Sequence, residues 1–584
     1  MNFHELCKAL DSLEKTSARN EMISSLADFL RLLSPNEIAN TIYLMQGRVA
    51  PLFSTSEFQL SVKSVLKVMV SVNSNAEDYY KQMGDLGMVA ALVCADNKPA
   101  NLTINQVFEN LFNLTGISGN RSQEKKRNLL LDLFAKLGSL EAKYVARIII
   151  GKMRLGLSDK SILDSFSVAI NQDKSLRPIL ERAFGVIADL GYVGEVLFAK
   201  GITSLQELKP VAGIPVAVKL VEREKGTAEI FARLGPHIIQ PKFDGLRAQL
   251  HFSRNASNKS KPEQETLFED KTQSQTWIFS RKLESLTDMF PDITAALNAL
   301  NVESIIIDSE AIAYDPASGE MLPFQETMRR KRKHDVSKIA SEIPVRAHCF
   351  DILMLNGESK LDTPLTERLS LLEKILQSSA QEVLVMAESN SVESANQAEE
   401  IYSKYVEQKL EGVICKNKDS LYDPGTRNFD WIKLKASASA GISDTIDTVV
   451  LGYYFGKGSR AKFGIGALLI GVYDPDSDKF VSVSKLGTGF TDTDFLAIKK
   501  RLDQIVVQTI PVNVAIDKNL MPDVLVSPEV ITVVEADSVS KSKLHGGESG
   551  GYSLRFPRLK VFDRKDKSSK EVTTTLELGT LAGL

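Results

Sequence analysis

The sequence of 584 residues has little cysteine and no long apolar segment. Its four cysteines are Cys7, Cys94, Cys349 and Cys415. They lie too far apart for Cys-x-x-Cys metal pairs or a disulfide framework, which argues against a zinc finger. No run of 18 or more apolar residues could cross a bilayer, and the first residues lack the charged and apolar blocks of a secretion signal. We therefore expect a cytoplasmic protein with no membrane partner.

A strong excess of charge of one sign is also absent. The net charge of -3 gives no global reason for nucleic-acid binding, so any such binding must depend on local basic surface. One basic cluster qualifies, consisting of Arg329, Arg330, Lys331, Arg332, Lys333 and His334. It is either a phosphate-binding surface or an exposed helix face. The length and the 43% hydrophobic content suffice for three or four domains with cores.

Residues 1 to about 210 carry apolar side chains at three- and four-residue spacing, which predicts helices. Examples are Leu130, Leu133 and Leu137. Two glycine-bounded turns, at 84–87 and 151–156, interrupt the pattern. Each either caps a helix or brings backbone N–H groups to a phosphate.

After Lys209–Pro215 the pattern changes to strands separated by helical or polar pieces, which indicates an α+β domain. The predicted strands are Ala248–Phe252, Ser304–Tyr314, Arg346–Leu355, Val383–Ala387 and Gly412–Lys416. The polar stretch between Arg254 and Gln275 predicts a long mobile loop inserted in a hairpin.

Small residues at Lys435–Gly441 predict a flexible hinge. The short strands predicted after it are Thr448–Phe455, Ala467–Tyr473, Phe480–Ser484 and Val530–Glu535. They suit a small β-barrel of oligonucleotide-binding type, with a sandwich as the alternative.

The most informative motif is the K-x-D-G-x-R string in Gln240–Arg247. A deprotonated lysine amine can bond covalently to phosphorus, and Lys242 has suitable neighbours for this. Gly245 permits a tight turn, Asp244 can orient the amine or a sugar hydroxyl, and Arg247 can hold a phosphate or ribose oxygen. Taken alone, the string also fits an exposed hairpin turn.

Further charged or aromatic residues recur inside or beside the apolar strands downstream, where they are costly unless they line a site. They are Arg281, Asp308, Glu310, Phe350, Asp351, Glu411, Arg427, Lys433 and Lys435. Alternation along the strand puts Lys433 and Lys435 on one face.

With these motifs and Arg555-Phe556-Pro557-Arg558, the chain resembles the ATP-dependent DNA ligases of the archaeal and eukaryotic replicative type, within the covalent nucleotidyltransferase superfamily. The resemblance spans nearly the whole chain. It implies a multidomain fold: an all-α DNA-binding domain at 1–210, an α+β nucleotidyltransferase (adenylation) domain at 211–438, and a β-barrel OB-fold domain at 439–584.

The resemblance implies nick sealing with ATP and Mg²⁺ as cofactors, through an adenylate on Lys242. It implies that Glu310 binds the ribose and a metal, that Phe350 stacks on adenine, and that Glu411 helps to hold the metal. The implied phosphate and nucleotide contacts are Arg247, Arg281, Arg427, Lys433 and Lys435, with Arg555 and Arg558 on the pyrophosphate.

The chain departs from the family pattern in a few places. Gln240 stands where many relatives carry a glutamate that accepts a hydrogen bond from the adenine amino group, and a glutamine carbonyl can still accept that bond. Ala217 replaces a usual basic residue, and the polar loop is longer than expected.

The implied partner is nicked double-stranded DNA, bound by a monomer associated with the nucleoid. A sliding clamp is a further expectation. Gln46–Phe53 loosely fits a clamp-binding pattern, and apolar packing is the alternative. Alternatives for the whole chain are an RNA capping guanylyltransferase, an RNA ligase, or a non-catalytic DNA-end binding scaffold.

Overall fold

The structure, a computed structural model, describes residues 1–16, 18–119, 121–256, 273–331, 336–377, 382–408, 410–436, 445–456, 458–546 and 551–581. These form two compact units. The first comprises Met1–Ser403 and Ile414–Lys433, and the second comprises Lys404–Val413 and Leu434–Leu584. The three-domain division at residues 210 and 438 stays a prediction.

The first part of the first unit is helical, as the apolar spacing predicts. Its helices are α1 Phe3–Lys15, α2 Arg19–Leu30, α3 Pro35–Met45, α4 Val62–Val72, α5 Ala76–Met83, α6 Leu86–Val93, α7 Ile104–Thr115, α8 Ser122–Ala135, α9 Ser139–Ile149, α10 Asp159–Asn171, α11 Arg177–Val186, α12 Leu190–Lys200 and α13 Ile202–Gln206.

These helices form because each buries one apolar face and several carry side-chain caps. In α8, Leu130 and Leu133 are buried in a common hydrophobic cluster, as their spacing predicts. The Thr103 side chain accepts a hydrogen bond from the Gln106 N–H at the start of α7, while the Gln106 side chain accepts one from the Thr103 N–H. This reciprocal capping satisfies two helix-end N–H groups.

The remainder of the chain up to Lys435 alternates strands and helices. The strands are β1 Leu220–Arg223, β2 His237–Lys242, β3 Leu246–Ala256, β4 Gln273–Ser280, β5 Ser304–Ala313, β6 Val345–Leu355, β7 Glu358–Ser359, β8 Leu384–Met386, β9 Asn390–Val392, β10 Gly412–Asn417 and β11 Arg427–Lys435. The helices are α14 Thr227–Leu234, α15 Pro291–Asn298, α16 Phe324–Met328, α17 Val336–Glu342, α18 Leu365–Gln377 and α19 Ala395–Glu407.

Two sheets are built from these strands. One has the order β1-β11-β10-β2-β9, and the other has the order β4-β3-β5-β6-β7 with β8 paired to β6. The five strands predicted from sequence in this part are confirmed as β3, β5, β6, β8 and β10. The hairpin predicted around the polar stretch is confirmed, since β3 and β4 pair antiparallel, while 257–272 lie outside the described residues.

Apolar side chains fill the space beside both sheets. A cluster that includes Leu250, Ile307 and Leu372 packs β3 and β5 against helix α18. Another cluster contains Val186 of α11 and Trp431 of β11, so the helical part contacts the sheets within the first unit. This packing fixes the strands that carry the charged residues of the site.

The second unit is rich in strands. It contains β12 Ile446–Tyr454, β13 Ala467–Asp474, β14 Lys479–Leu486, β15 Val506–Val507, β16 Val514–Ala515, β17 Val524–Val526, β18 Ile531–Glu535, β19 Ser538–Ser542, β20 Gly551–Arg555 and β21 Arg558–Phe562, with helices α20 Asp492–Leu502 and α21 Thr575–Leu581. The four strands predicted here are confirmed as β12, β13, β14 and β18.

The main sheet of the second unit has the order β15-β17-β12-β13-β14-β16, and β18 joins β12 to β21. The ladder does not close on itself within the described ranges, so this part is a half-barrel where a full barrel was expected. A cluster that includes Val450, Ile470 and Val534 packs on one side of it. Of the predicted hinge Lys435–Gly441, residues 437–441 lie outside the described residues.

A search of the described helices finds none that is both long enough and apolar enough to span a membrane.

A buried ion pair anchors β6 to α18. The Arg368 guanidinium donates to both carboxylate oxygens of Asp351, at 2.7 and 3.0 Å, and both side chains are fully buried. Arg368 also donates to the Ser420 carbonyl at 3.0 Å. Because Asp351 follows Phe350 directly, this pair holds the strand that presents the Phe350 ring.

We expect Arg368→Met to lower the free energy of unfolding by about 3 kcal/mol or more, because it leaves the Asp351 charge buried without a partner. Urea unfolding followed by tryptophan fluorescence measures this, since Trp277 and Trp431 both lie in the sheets of the first unit. The control is Arg182→Met, which removes an exposed ion pair with Asp362 and should cost about 1 kcal/mol or less. Equal effects of the two substitutions would contradict the prediction.

Candidate active site

The turn that follows Lys242 packs closely onto β5. Lys242 is half-buried at the end of β2. A Cβ atom added at Gly245 would lie 2.7 Å from the Glu310 Cγ and 2.7 Å from the Ile312 Cγ1. Only glycine allows this approach, which places the K-x-D-G turn against the strand that carries Glu310.

The same turn contacts β6 through an aromatic pair. The Phe243 and His348 ring centroids are 4.5 Å apart, and His348 lies opposite Glu310 in the β5–β6 ladder. Burial, with a smaller effect of the nearby Arg346 charge, lowers the pKa of His348 to about 4. His348 is therefore neutral at physiological pH and adds no charge next to Phe243.

A fully buried carboxylate, Asp308, lies in the centre of this region. It accepts hydrogen bonds from Arg247 at 2.6 Å, from the Gln249 amide at 3.1 Å and from the Tyr422 hydroxyl at 2.6 Å. Burial alone would raise the pKa of Asp308, but the Arg247 charge and these donors hold it below the usual value. The carboxylate therefore remains ionised and fixes Arg247.

Arg247 keeps its charge for the reciprocal reason. Burial alone would lower the pKa of the guanidinium, but the adjacent Asp308 carboxylate raises it above its ordinary value. The guanidinium carbon lies 4.6 Å from the centroid of the Phe350 ring. Since Arg247 also lies opposite Glu310 in the β3–β5 ladder, it brings Glu310 and Phe350 into one region.

A second cation, Lys416 of β10, lies beside the same ring. Its Nζ atom is 4.8 Å from the Phe350 centroid, 3.8 Å from the Trp431 ring and 3.4 Å from the Phe350 carbonyl oxygen, to which it donates. Lys416 is only 1% exposed. Burial, opposed by Asp351 and reinforced by Arg247 and Arg368, lowers the pKa of Lys416 to about 7.

The predicted strand-end cations of the first unit differ in their exposure to solvent. Arg427 is exposed at the start of β11, and Lys433 is half-buried opposite Arg223 of β1. Arg281 is exposed directly after β4, whose last residue pairs with Ala248. Arg281 and Arg427 therefore lie in solvent, whereas Lys433 is partly covered.

Two of the predicted residues form an ion pair in the second unit. The Lys435 Nζ atom lies 2.9 Å from a carboxylate oxygen of Glu411. Gly412 has φ +139°, and an added Cβ would lie 2.0 Å from the Leu434 carbonyl oxygen. The glycine after Glu411 therefore allows β10 and β11 to approach closely, which brings the carboxylate to the lysine.

The late arginines flank a strained turn between β20 and β21. Arg555 ends β20, and Arg558 begins β21 and donates to Asp537 at 2.6 Å. Phe556, between them, has φ +52°, a left-handed conformation that is costly for an aromatic residue, and is 65% exposed. The motif is thus presented on an exposed turn of the second unit.

The turn at 84–87 is a helix cap. The buried Asp85 side chain accepts the Gly87 N–H at 2.9 Å and thereby caps α6, and Arg147 donates to it at 2.6 Å. The turn at 151–156 has left-handed backbone at Gly151, Arg154 and Gly156. Arg154, half exposed there, also contacts Asp85 at 3.2 Å.

The predicted basic cluster is only partly a surface. Arg330 is buried and donates to both oxygens of Asp292, at 2.8 and 2.9 Å. Arg329 pairs with Glu326, and 332–335 lie outside the described residues. Arg330 is therefore a structural residue, because its charge is used within the fold.

The segment Gln46–Phe53 packs within the first unit. Val49 and Ala50 are buried, and the Phe53 ring lies 6.1 Å from the Phe279 ring, edge to face. Gln46 donates to Asp159 at 3.1 Å. These contacts favour apolar packing as the role of the segment.

Two buried lysines belong to the site region although no sequence motif singled them out. Lys416 is visible in sequence only as a lysine that ends the apolar run Val413–Cys415. Lys219, fully buried, donates to the Leu421 carbonyl at 2.8 Å and to Asp423 and Asp430 at 3.2 and 3.3 Å. It thereby holds the loop that leads into β11.

Across the described residues, no group of three or more His, Cys, Asp or Glu side chains is arranged to hold a metal ion. The predicted metal ligands Glu310 and Glu411 therefore do not belong to a preformed metal cluster.

Comparison with known proteins gives a consistent result along the chain. Family models match at residues 219–435 (ATP dependent DNA ligase domain), 2–167 (DNA ligase N terminus) and 461–567 (ATP dependent DNA ligase C terminal region). The chain is 39% identical over 587 residues to a probable DNA ligase of Dictyoglomus turgidum, covering 99% of this chain and 97% of that protein.

A DNA ligase of Sulfolobus acidocaldarius is 32% identical over 605 residues, covering 99% of this chain and 97% of that protein. A solved structure described as Pmar-Lig_PreS3 has a TM-score of 0.56 at 17% identity, covering 95% of this chain and 99% of that chain. At this identity the match shows a similar fold only.

We expect the lowered pKa of Lys416 to make stability rise with pH above neutrality. The folded chain releases this proton near pH 7, whereas the unfolded chain keeps it up to the ordinary value of 10.5. Between these values the unfolded chain binds more protons, so the wild type should gain up to about 4 kcal/mol relative to Lys416→Met from pH 7 to pH 10. Urea unfolding followed by circular dichroism measures this.

The control is Lys225→Met, which removes an exposed lysine and should leave the pH dependence unchanged. A difference between wild type and Lys416→Met that stays constant over this pH range would contradict the prediction.

Proposed function

The chain belongs to the ATP-dependent DNA ligase family, whose members form phosphodiester bonds with ATP, and we propose that it seals nicks in duplex DNA through an adenylate carried on Lys242. The observation that supports Lys242 as the nucleophile is the close packing of the Gly245 turn against the strand that carries Glu310. A lysine at the start of a turn that packs against a carboxylate-bearing strand suits attack on a nucleotide phosphate.

In the first proposed step, the deprotonated Lys242 amine attacks the α-phosphorus of ATP. A phosphorus–nitrogen bond forms, the bond between the α-phosphorus and the bridging oxygen breaks, and pyrophosphate leaves. Lys433 and Lys435 neutralise the α-phosphate, and Arg555 and Arg558 orient the departing pyrophosphate. Such a reaction depends on in-line placement and charge neutralisation more than on a general base.

In the second step, the 5′-phosphate of the nick attacks the adenylate, and the phosphorus–nitrogen bond breaks as Lys242 regains its proton. In the third step, the adjacent 3′-hydroxyl attacks the 5′-phosphorus and AMP leaves. The product is a continuous strand.

The nucleotide is held by residues on the two sheets. Phe350 stacks on the adenine, Glu310 binds the ribose, and Gln240 accepts a hydrogen bond from the adenine amino group. The guanidinium of Arg247, which Asp308 fixes at 2.6 Å, contacts the nucleotide. Arg281 and Arg427, both exposed, make phosphate contacts.

The family uses a divalent metal, and we propose Mg²⁺. The donor set fits this ion, because Mg²⁺ is usually bound through one or two carboxylates, waters and substrate phosphates, without a protein cage. Glu310 and Glu411 would supply the carboxylates. When bound, the ion would neutralise phosphate charge.

Nicked double-stranded DNA is the proposed partner, and we propose that a monomer acts on it at the nucleoid. The helical part would grip backbone phosphates across the minor groove, with recognition of nick geometry in place of base sequence. The half-barrel part would be an OB-fold domain. A sliding clamp remains a proposal by family analogy, because the packing of Gln46–Phe53 gives it no support.

The match of all three DNA ligase family models favours a DNA ligase over an RNA capping guanylyltransferase or an RNA ligase. The presence of Lys242, Glu310, Glu411, Lys433 and Lys435 argues against a non-catalytic scaffold.

We expect Lys242→Ala to abolish both the covalent uptake of AMP and nick sealing, because no other amine takes its place in the turn. Intact-mass analysis after incubation with ATP should show one added AMP in the wild type and none in the variant. Lys225→Ala, at an exposed lysine, serves as the control and should retain both activities. Sealing that survives in Lys242→Ala would refute the mechanism.

We expect Arg558→Ala to slow formation of the lysine adenylate by about tenfold to a hundredfold, because it removes a positive charge that stabilises the departing pyrophosphate. Sealing of a nick that already carries AMP should be unaffected, since no pyrophosphate leaves in that reaction. Lys560→Ala, at an exposed lysine of the same strand, is the matched control. Equal loss of both reactions in Arg558→Ala would contradict the assigned role.

A further inference from the structure

A glutamine that reads a nucleobase must be held in one orientation, because its two ends have opposite hydrogen-bonding character. The carbonyl oxygen accepts and the amino group donates. Adenine presents an amino group at position 6, whereas hypoxanthine and guanine present an oxygen there. Gln240 therefore favours adenine only if its carbonyl oxygen points to the base.

Gln240 is 2% exposed, and its side-chain amide contacts Ser389, which directly precedes β9. Strands β2 and β9 pair antiparallel, with Ile238 opposite Ser391 and Ile239 opposite Asn390. Continuing this register by one residue brings Gln240 opposite Ser389. The side-chain contact follows from the pairing of the strands.

The hydrogen bonds around Ser389 have a defined direction. The Gln240 Nε2 donates to the Ser389 Oγ at 2.9 Å, and the Ser389 Oγ donates to the Ala387 carbonyl oxygen at 3.1 Å. A hydroxyl has one proton, and a backbone carbonyl can only accept. Ser389 must therefore accept from Gln240, which turns the amide nitrogen toward the serine.

The end of this chain of hydrogen bonds is rigid. Ala387 is 2% exposed, and its N–H donates to the Cys349 carbonyl at 2.8 Å. Cys349 precedes Phe350 on β6. The backbone that sets the direction of the Gln240 amide is thus tied to the strand that carries the proposed adenine-stacking ring.

We propose that Ser389 is a specificity-determining residue of the nucleotide site. Because its hydroxyl donates to the Ala387 carbonyl, it accepts from the Gln240 amide nitrogen. The Gln240 carbonyl oxygen is thereby directed to the 6-amino group of adenine. This inference rests on the proposed function, in which Gln240 reads adenine. Without the serine hydroxyl, the amide can turn over and donate to a 6-oxo purine.

The test compares ATP with ITP, because these nucleotides differ only at positions 1 and 6 of the purine. Covalent uptake of AMP or IMP by Lys242 is followed by intact mass. Binding of each nucleotide is measured in the Lys242→Ala background, where no covalent step occurs. The wild type should prefer ATP in both measurements, and Ser389→Ala should lower the ATP-to-ITP ratio about tenfold.

Three further variants isolate the cause. Ser389→Thr keeps a hydroxyl and should restore the wild-type ratio. In Gln240→Glu both oxygens accept, so adding Ser389→Ala to it should not change the ratio. Ser391→Ala removes a serine that bonds Glu393 and is the control for a serine loss on the same strand.

A wild-type ratio in Ser389→Ala would overturn the inference, and so would an equal loss of discrimination in Ser391→Ala. A wild type that takes up neither nucleotide would contradict the proposed function itself. Because Ser389 is exposed, its substitution should leave the thermal unfolding temperature close to that of the wild type.

Discussion

The Asp308 carboxylate is fully buried and ionised, and the arrangement of the candidate site depends on how that charge is balanced. Its three donors come from two segments: Arg247 and Gln249 from β3, and Tyr422 from the loop before β11. A buried charge with a missing donor is strongly destabilising. These two segments and β5, which carries Asp308, are therefore held in one arrangement, and Arg247 lies beside the Phe350 ring because Asp308 fixes it there.

Glycine permits a close backbone approach in each of the two units. Gly245 lets the turn after Lys242 lie against Glu310, and Gly412 lets β10 and β11 approach within the reach of the Glu411–Lys435 pair. A side chain at either glycine would occupy the space of its neighbour. The glycines of these motifs thus position charged residues, although they contribute no chemistry themselves.

The site region also contains two buried lysines that its motifs do not indicate. Lys416 lies between Phe350 and Trp431, and Lys219 is buried against Asp423 and Asp430. Phosphoryl transfer requires neutralisation of phosphate charge, so the buried amine of Lys416 close to the Phe350 ring suits the proposed nucleotide site. Lys416 reduces stability near neutral pH, since burial opposes its charge. Lys219, by contrast, pairs with two carboxylates, which offset the cost of burying its own charge.

Local pattern alone determined the helical first third, the strands such as Ser304–Ala313, and the nucleophile candidate Lys242, because side-chain periodicity and short motifs lie within a few residues of each other. Tertiary packing decided which distant side chains come into contact. Arg330 pairs with Asp292 across 38 residues, Lys416 meets Phe350 across 66, and Gln240 meets Ser389 across 149. Such contacts depend on strand register and burial between distant segments, as does the half-barrel of the second unit, and no local pattern encodes them.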